Sequence, residues 1–411
     1  MPRTTRGSFI TIGGDPKGKH FLYVNGNSVF IRNIQEPFEC DVYTEHAHQV
    51  QVAKYSPSGF YIASGDQSGK IRIWDTTNKE HLLKNEYQPL SGLIKDLQWS
   101  SDNQRIIVGG EGREKFGHVF NADTGTSVGE IMGSSKPINS VDFKPTRPFR
   151  AVVASEDNSI CYFEGPPFKW KNTLSVHDRF VNVVRYAPSG DKFASGGADG
   201  KLVIFDGKLG DKLYEITVQD GPKETPAHKG SIYSLCWDPT SKYILTASGD
   251  KTAKVWNVEE KRLVKEVKFG EQLDDQQVGC LWQNDFVITV SLSGCINYLN
   301  SAKILSGGGG DASVVDRVVK GHSKSITALE IVNKPSSFSG NEPLIISASH
   351  DGLIIYWNSA NGKMDSIRAG NIGQHKNQVQ SIRYDSGSNQ LVTCGLDDTV
   401  KFIDLDEFKY R

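Results

Sequence analysis

A histidine recurs four times in this chain with two partners at fixed distances, and this spacing limits the possible folds more than any other feature. Each histidine is followed 22 residues later by serine or aspartate in a glycine-rich turn, and 28 residues later by a large apolar residue. The four sets are His46, Ser68 and Trp74; His177, Asp199 and Phe205; His228, Asp250 and Trp256; His375, Asp397 and Ile403. Two spacings kept across four segments indicate copies of one structural unit of about 40 residues. We therefore expect a repeat array.

The segment 228–258 indicates what one unit builds. Three runs rich in β-branched and aromatic residues are separated by a proline-containing turn and a Gly-Asp turn, and a fourth run follows at 263–267. This pattern predicts four short antiparallel strands without helical periodicity. Four-stranded units repeated along a chain are typical of β-propeller blades, which protect their sheet edges by closing into a ring. The predicted fold class is therefore all-β, a β-propeller.

Nine such units begin near residues 8, 43, 90, 135, 174, 225, 274, 318 and 372. A single propeller usually closes with about four to eight blades. We therefore expect a seven-bladed propeller in residues 1–316, followed by two repeats of an incomplete second propeller in residues 317–411. The glycine-dense stretch 305–313 is the expected linker. Two blades cannot close a ring, so the second part is expected to expose sheet edges.

Composition excludes several classes of partner. The chain has 47 basic and 48 acidic residues among 411, without a long run of either sign, so we expect neither nucleic acid nor membrane binding. The six cysteines are scattered, without a CxxC pair or metal-ligand spacing, which indicates reduced core thiols and no metal site. The sequence shows no secretory leader and no apolar run long enough to span a bilayer. We expect a cytoplasmic monomer without a cofactor.

Two short motifs bear on catalysis. Residues 13–20 match most of a phosphate-binding loop, but His20 replaces the required serine or threonine and no helical pattern follows, so a polar hairpin turn is expected. Residues 349–351, Ser-His-Asp, lie on one predicted strand and cannot converge on one centre. Because the sequence contains no paired carboxylates, activated nucleophile or cofactor fingerprint, we predict that the protein is not an enzyme.

The histidine, serine, aspartate and tryptophan of the unit resemble the characteristic residues of the WD repeat. In that family these side chains form a buried hydrogen-bonded chain, which stabilises only when every member is paired. The resemblance gives this role to His46, Trp74, His177, Asp199, His228, Ser248, Asp250, Trp256, His322, Asp351, Trp357, His375 and Asp397. In the second unit, Ser68 stands where the turn aspartate is expected.

Several stretches outside the general repeat pattern resemble the actin-interacting protein 1 family of WD-repeat proteins. They are residues 43–48, 58–66, 73–77, 111–117 (EGREKFG), 163–168 (FEGPPF), 275–277, 291–294 and 321–326. The resemblance implies a cytoskeletal protein with two seven-bladed propellers that binds actin filaments with cofilin and promotes their severing and disassembly. This chain departs from that plan because it stops after two repeats of the second propeller, so we expect either a truncated form or two repeats that pack irregularly on the first ring.

The resemblance also implies a binding surface on the first propeller. Segments 111–117 and 163–171 combine charges with aromatic residues, a composition typical of binding hot spots. The alternative, from composition alone, is that Phe168 or Trp170 covers the edge of its own sheet. We expect a connected patch that contacts actin and cofilin, formed by Glu114, Glu156, Lys169, Trp170 and Phe180.

Two alternatives remain open at this point. The main one is a general WD-repeat scaffold that assembles a multiprotein complex, such as a ubiquitin ligase adaptor or a signalling hub. Such a scaffold does not require segments 111–117 and 163–171, and these segments therefore favour the actin-binding hypothesis. The other is an inactive truncated product whose second part is unstable.

Overall fold

The computed structural model describes residues 1–220, 223–306, 314–322, 324–333, 340–360, 362, 364–365 and 374–410. These residues form nine antiparallel sheets, so the predicted all-β class is confirmed. The chain divides into two compact units, one comprising Pro2–Val318 and the other Val319–Arg411 together with Met1.

The first three sheets lie in Pro2–Val318. Sheet 1 contains β1 (Gly13–Gly14), β2 (His20–Asn25), β3 (Ser28–Asn33) and β4 (Cys40–Tyr43). Sheet 2 contains β5 (Val50–Tyr55), β6 (Tyr61–Asp66), β7 (Ile71–Asp75) and β8 (Leu83–Tyr87). Sheet 3 contains β9 (Ile94–Trp99), β10 (Arg105–Gly110), β11 (Gly117–Asn121) and β12 (Ser127–Glu130).

The next two sheets differ in strand number. Sheet 4 contains β13 (Ile138–Phe143), β14 (Arg150–Ser155), β15 (Ile160–Glu164) and β16 (Lys169–Leu174). Sheet 5 contains β17 (Val181–Tyr186), β18 (Lys192–Gly197), β19 (Leu202–Asp206), β20 (Lys212–Asp220) and β21 (Lys223–Pro226). The fifth strand arises because β20 is long enough to pair with β19 through its first half and with β21 through its second.

The remaining sheets complete the described fold. Sheet 6 contains β22 (Ile232–Trp237), β23 (Tyr243–Ser248), β24 (Thr252–Asn257) and β25 (Arg262–Lys268). Sheet 7 contains β26 (Gln277–Gln283), β27 (Phe286–Ser291), β28 (Ile296–Asn300) and β29 (Val315–Val319). Sheet 8 contains β30 (Ile326–Val332), β31 (Leu344–Ser349) and β32 (Ile354–Asn358), and sheet 9 contains β33 (Val379–Asp385), β34 (Gln390–Gly395), β35 (Val400–Asp404) and β36 (Lys409–Tyr410).

The first strands of neighbouring sheets lie side by side in Pro2–Val318. Strand β5 lies beside β9, and the series continues through β13, β17 and β22 to β26. Strand β1 lies beside both β5 and β26, and Ile10 N donates to Val278 O at 2.8 Å. Sheets 1 to 7 therefore follow one another in a circle. At its centre is a cavity of about 400 Å³, lined in part by Lys54, Asp142 and Arg185.

The core is formed between the faces of successive sheets. Successive side chains of a strand point to opposite faces of its sheet. In the circle of sheets, the two neighbouring sheets cover both faces of each sheet. The apolar runs of the middle strands supply this core, as at Ile106 and Val108 of β10, which are fully buried. In Val319–Arg411, sheets 8 and 9 share a separate core that includes Ile346 and Ile382.

Two short helices depart from the predicted absence of helix. A 3₁₀ turn spans Leu273–Asp275 and helix α1 spans Ser301–Leu305, where the Asn300 side chain accepts from Lys303 N at 2.9 Å and caps the helix. Five residues are too few to show helical periodicity in a sequence. The predicted linker begins at the end of α1, and its residues 307–313 lie outside the described residues. Within the described part of the chain, no helix has the length and apolar character needed to cross a membrane.

Candidate functional site

The hydrogen-bonded network of sheet 2 joins a loop, two strands and a turn. Ser64 Oγ lies 2.7 Å from His46 Nε2 and accepts from Trp74 Nε1 at 3.0 Å. On the other side of the ring, His46 Nδ1 lies 3.1 Å from Asp66 Oδ2. Ser68 occupies the position of the turn aspartate, 22 residues after the histidine, but Asp66 at the end of β6, 20 residues after it, makes the contact with the histidine. Ser68 instead donates to Asp66 Oδ1 through its hydroxyl at 2.6 Å.

Sheet 6 has the same arrangement, with one correction to the sequence interpretation. The hydroxyl that links His228 and Trp256 belongs to Thr246, at 2.7 Å from His228 Nε2 and 2.9 Å from Trp256 Nε1. His228 Nδ1 lies 2.8 Å from Asp250 Oδ2. Ser248, predicted to belong to this chain of side chains, accepts from Asp250 N at 3.1 Å and so stabilises the turn.

The other predicted network residues make equivalent contacts. In sheet 5, His177 lies 2.7 Å from Ser195 and 3.1 Å from Asp199. In Val319–Arg411, the contacts are His322 to Ser347 at 2.8 Å, His322 to Asp351 at 3.2 Å, Trp357 to Ser347 at 2.7 Å, His375 to Thr393 at 2.9 Å and His375 to Asp397 at 2.8 Å. Each group is satisfied inside its own sheet, so these residues stabilise the fold rather than form a reactive centre.

The electrostatics of these networks favour a charged aspartate. Burial opposes ionisation of Asp66, but hydrogen bonds from His46 and Ser68 outweigh it and lower the pKa of Asp66 to about 2. Burial lowers the pKa of His228, and the adjacent Asp250 carboxylate opposes this shift. Asp250 itself is partly buried, which raises its pKa, yet bonds from His228 and Thr252 keep that pKa well below its usual range.

Three of the predicted binding residues lie at one end of the circle of sheets. Antiparallel strands alternate in direction, so the turns between second and third strands share an end with the connections to the next sheet. Glu114 lies between β10 and β11, Glu156 follows β14, and Phe180 precedes β17. We call this the Glu156 end.

A single connecting segment, residues 131–137, touches three of the predicted residues. Pro137 O accepts from Glu156 N at 3.0 Å, and Lys136 Nζ lies 5.7 Å from the centre of the Phe180 ring. Gly133 has a φ of +93°, and a Cβ at this position would come within 2.8 Å of the Trp170 indole. Only glycine therefore permits this close approach. The segment brings Glu156, Trp170 and Phe180 together from sheets 4 and 5.

Lys95 connects the turn that carries Glu114 to this group. Its Nζ lies 2.6 Å from Glu156 Oε1 and 3.4 Å from Glu111 Oε1. Glu111 belongs to the same turn as Glu114, whose side chain is exposed. Lys95 therefore links Glu156 to the turn that carries Glu114, three residues after Glu111.

The fifth predicted residue, Lys169, is separate from the others. It begins β16 and pairs with Glu164, so its backbone lies at the opposite end of sheet 4. Trp170 is 53% exposed, and its Nε1 donates to Thr173 Oγ1 at 3.0 Å, which directs the indole along β16 toward the Glu156 end. Phe168 is 3% exposed and packs against Phe143. For Phe168, the alternative that the residue covers the edge of its own sheet is therefore correct.

Three further residues belong to this surface and were missed by the sequence analysis. Lys95 and Lys136 make the contacts above, and Met132 in the connecting segment is 61% exposed. Charged residues and a lone methionine in turns are common in any sequence, so only the motif resemblance could have indicated this neighbourhood.

In the described residues, no group of three or more His, Cys, Asp or Glu side chains is arranged to hold a metal ion. All six cysteines are free thiols. The expectation of core thiols is wrong for Cys40, which is exposed because β4 is the outermost strand of sheet 1.

Comparison with known sequences identifies the repeat. The family described as WD domain, G-beta repeat, matches residues 39–75, 125–164, 168–206, 222–257, 313–358 and 368–404, which together make up more than half of the chain. The chain belongs to the WD-repeat family. A fold does not by itself define a function, which resides in particular sites on that fold.

The resemblance to the actin-interacting protein 1 family is confirmed. Actin-interacting protein 1 of Drosophila melanogaster is 54% identical over 410 residues, which cover 100% of this chain and 63% of the relative. WD repeat-containing protein 1 of Xenopus tropicalis is 52% identical over 410 residues, covering 100% of this chain and 64% of the relative. This WD-repeat chain therefore spans less than two thirds of the length of these relatives.

A solved structure supports the fold alone. The computationally designed Ika8 protein superposes with a TM-score of 0.54 at 18% sequence identity, covering 87% of this chain and 96% of its own. Together with the WD repeats and the nine small sheets, it agrees with the predicted β-propeller fold.

The WD-repeat matches leave gaps over most of sheets 1, 3 and 7, although all three sheets are formed. Sheet 7 replaces the usual set with amides. Gln277 Nε2 and Asn297 Nδ2 each donate to Ser291 Oγ at 2.9 Å. A degenerate WD repeat therefore keeps a buried polar link between its strands with different side chains.

Proposed function

We propose that this chain binds actin filaments together with cofilin, as a non-enzymatic cytoplasmic protein, and promotes filament severing and disassembly. The observation that carries the proposal is the 54% identity to actin-interacting protein 1, which extends over the entire chain and includes the segments outside the general repeat. The proposed partners are actin filaments and cofilin, with no nucleic acid or membrane partner.

The proposed domain organisation is one seven-bladed propeller in residues 1–316 and two repeats of an incomplete second propeller in residues 317–411. The circle formed by the first strands of sheets 1 to 7, with β1 beside β26, supports the first part. The separate core of sheets 8 and 9 supports the second.

The proposed binding surface comprises Glu114, Glu156, Trp170 and Phe180, together with Lys169, which lies at the opposite end of sheet 4. Trp170 and Phe180 are 53% and 47% exposed, and Met132 adds a third apolar side chain. Aromatic anchors surrounded by charges of both signs are typical of protein-binding hot spots. Such a surface suits a filament that presents both positive and negative groups.

The test is co-sedimentation of the purified chain with actin filaments, with and without cofilin, measuring the bound chain and the remaining filamentous actin. We expect cofilin to increase the bound fraction, and the chain to reduce the filamentous actin that remains beyond the effect of cofilin alone. A folded chain that does neither would contradict the proposal and favour a general WD-repeat scaffold.

A further inference from the structure

Two cysteines meet between sheets 6 and 7, at the wall of the central cavity. Cys236 lies on β22 and Cys280 on β26, the first strands of these sheets, which lie side by side. Both side chains line the cavity of about 400 Å³. Cys280 belongs to the hydrophobic cluster between the two sheets, and Cys236 packs against the same cluster. The fold therefore brings together two thiols from different repeats.

The contacts of Cys280 place its sulfur atom beside Cys236. Cys280 Sγ lies 3.4 Å from Ser234 Oγ and 3.7 Å from Leu245 O. Ser234 and Cys236 are two positions apart on β22, so their side chains point to the same face of sheet 6. Leu245 of β23 is the residue paired with Cys236 across the sheet. The Cys236 and Cys280 side chains are also hydrogen-bonding neighbours, so the two thiols are adjacent across the interface.

The central cavity gives a small oxidant a route to this pair. Cys236 is partly exposed, and Cys280 is 5% exposed. Burial and the neighbouring Cys280 raise the pKa of Cys236, while the ammonium group of Lys54, which lines the same cavity, opposes this shift. The raised pKa makes the pair slow to react with bulky alkylating reagents. Hydrogen peroxide is small and uncharged, and a cavity of this volume has room for it.

We propose that Cys236 and Cys280 form a reversible disulfide when the protein is exposed to hydrogen peroxide. In the first step, one sulfur bonds to a peroxide oxygen, the O–O bond breaks, and a sulfenic acid and one water are formed. In the second step, the other sulfur attacks the sulfenic acid sulfur, and the hydroxyl group leaves with the thiol proton as a second water. Two thiols are thus oxidised and one peroxide is reduced. This inference is independent of the proposed actin function.

The disulfide has a structural consequence, because β26 also carries the contact that closes the circle of sheets. Val278 of this strand accepts from Ile10 N of the segment before sheet 1. A bond from Cys280 to Cys236 joins the same strand covalently to sheet 6. A cross-link stabilises a protein mainly by restricting its unfolded chain. We therefore expect the oxidised protein to melt roughly 2–6 °C above the reduced protein.

The first test is peptide mapping of the folded chain after treatment with hydrogen peroxide. Remaining thiols are alkylated, the monomeric fraction is isolated to remove copies joined through the exposed Cys40, and the chain is digested without reduction. We expect mass spectrometry to show one principal linked pair that contains Cys236 and Cys280 and that dithiothreitol separates. A chain oxidised in denaturant is the control, and there the same pair should not predominate. Links only between other cysteines, or cysteines oxidised singly, would overturn the proposal.

The second test compares the melting temperatures of variants before and after peroxide treatment. Cys236→Ala should lose the rise, and the matched control Cys161→Ala, which removes a buried cysteine of sheet 4, should keep it. A rise in Cys236→Ala equal to that of the unmodified chain would contradict the proposed link. The peptide map of the unmodified chain decides the question even where a variant does not fold.

Discussion

Arg185 and Asp96 are 89 positions apart in sequence, yet Arg185 Nη1 lies 2.8 Å from Asp96 Oδ2 beside the central cavity. The hydroxyl of Ser140 lies between them, 2.8 Å from Arg185 Nη1 and 3.0 Å from Asp96 Oδ2. Asp96 is fully buried. The three residues belong to β17, β9 and β13, so one ionic network fixes the first strands of sheets 3, 4 and 5 together.

Removing the cation from this network should destabilise the protein strongly. We expect Arg185→Met to lower the free energy of unfolding by about 3–5 kcal/mol, because it leaves the Asp96 carboxylate buried without its partner. Chemical denaturation measures the change. The control is Lys84→Met, which breaks the exposed pair with Asp123 and should cost about 1 kcal/mol or less. Equal losses in the two variants would contradict this role for Arg185.

Thr246, whose hydroxyl links His228 to Trp256, should contribute more to the free energy of unfolding than Ser248. We expect Thr246→Val to lower the free energy of unfolding by about 2–4 kcal/mol, since it removes the partner of two buried ring nitrogens. Ser248→Ala should cost about 1 kcal/mol, because it removes one hydrogen bond to the Asp250 backbone. Thermal and chemical denaturation of both variants test the order, and the reverse order would show that Ser248 is the linking residue.

These two residues also show what the sequence could and could not predict. The repeat length, the strands and the identity of the histidines follow from spacing, because the short strands recur in all nine sheets and the histidine in five of them. Thr246 and Ser248 lie two positions apart on β23, and residues two apart point to the same face of a strand. Asp66 and Ser68 are also two positions apart, and the sequence leaves the same choice open between them. Spacing alone could not decide which hydroxyl or carboxylate meets the histidine.

The lowered pKa of Asp66 predicts how its contribution varies with pH. The folded-state pKa of about 2 is below the usual value of 3.8, so the charged form is stabilised by folding. This contribution is fully present above about pH 5 and is lost as the pH falls toward 2. We expect Asp66→Asn to destabilise the protein most at neutral pH, with a difference from the unmodified protein that shrinks below pH 4. A difference that grows on acidification would show that the pKa is raised instead.

The proposed binding surface predicts which exposed aromatic residues matter. We expect Trp170→Ala and Phe180→Ala each to weaken filament binding by about 1–3 kcal/mol in co-sedimentation with cofilin. The matched control is Leu209→Ala, since Leu209 is 63% exposed on a turn of sheet 5. Because all three side chains are exposed, their removal should change stability little. Unchanged binding by both aromatic variants would remove this surface from the proposal.

The proposed binding surface is formed by residues from distant parts of the sequence, and for this reason sequence patterns alone could not predict it. Glu156, Trp170 and Phe180 come from separate turns and strands, and residues 131–137 bring them together. No local sequence pattern predicts that these residues lie close together, and only the resemblance to a family indicated it. Phe168 and Trp170 looked equivalent in sequence, but the turn before β16 buries the first and exposes the second. The family resemblance also indicates Lys169, although β16 begins at the opposite end of sheet 4.

The contact between Ile10 and Val278 has a consequence for biosynthesis. Ile10 is made early, but its partner Val278 in β26 is added only about 270 residues later. At about 5–20 residues per second, the interval is roughly 15–55 s. Throughout that time the nascent chain has two uncovered sheet faces, one at each end of the growing array. Closure of the circle therefore has to wait until β26 has been synthesised, and protection by chaperones during this interval should determine the yield of native protein.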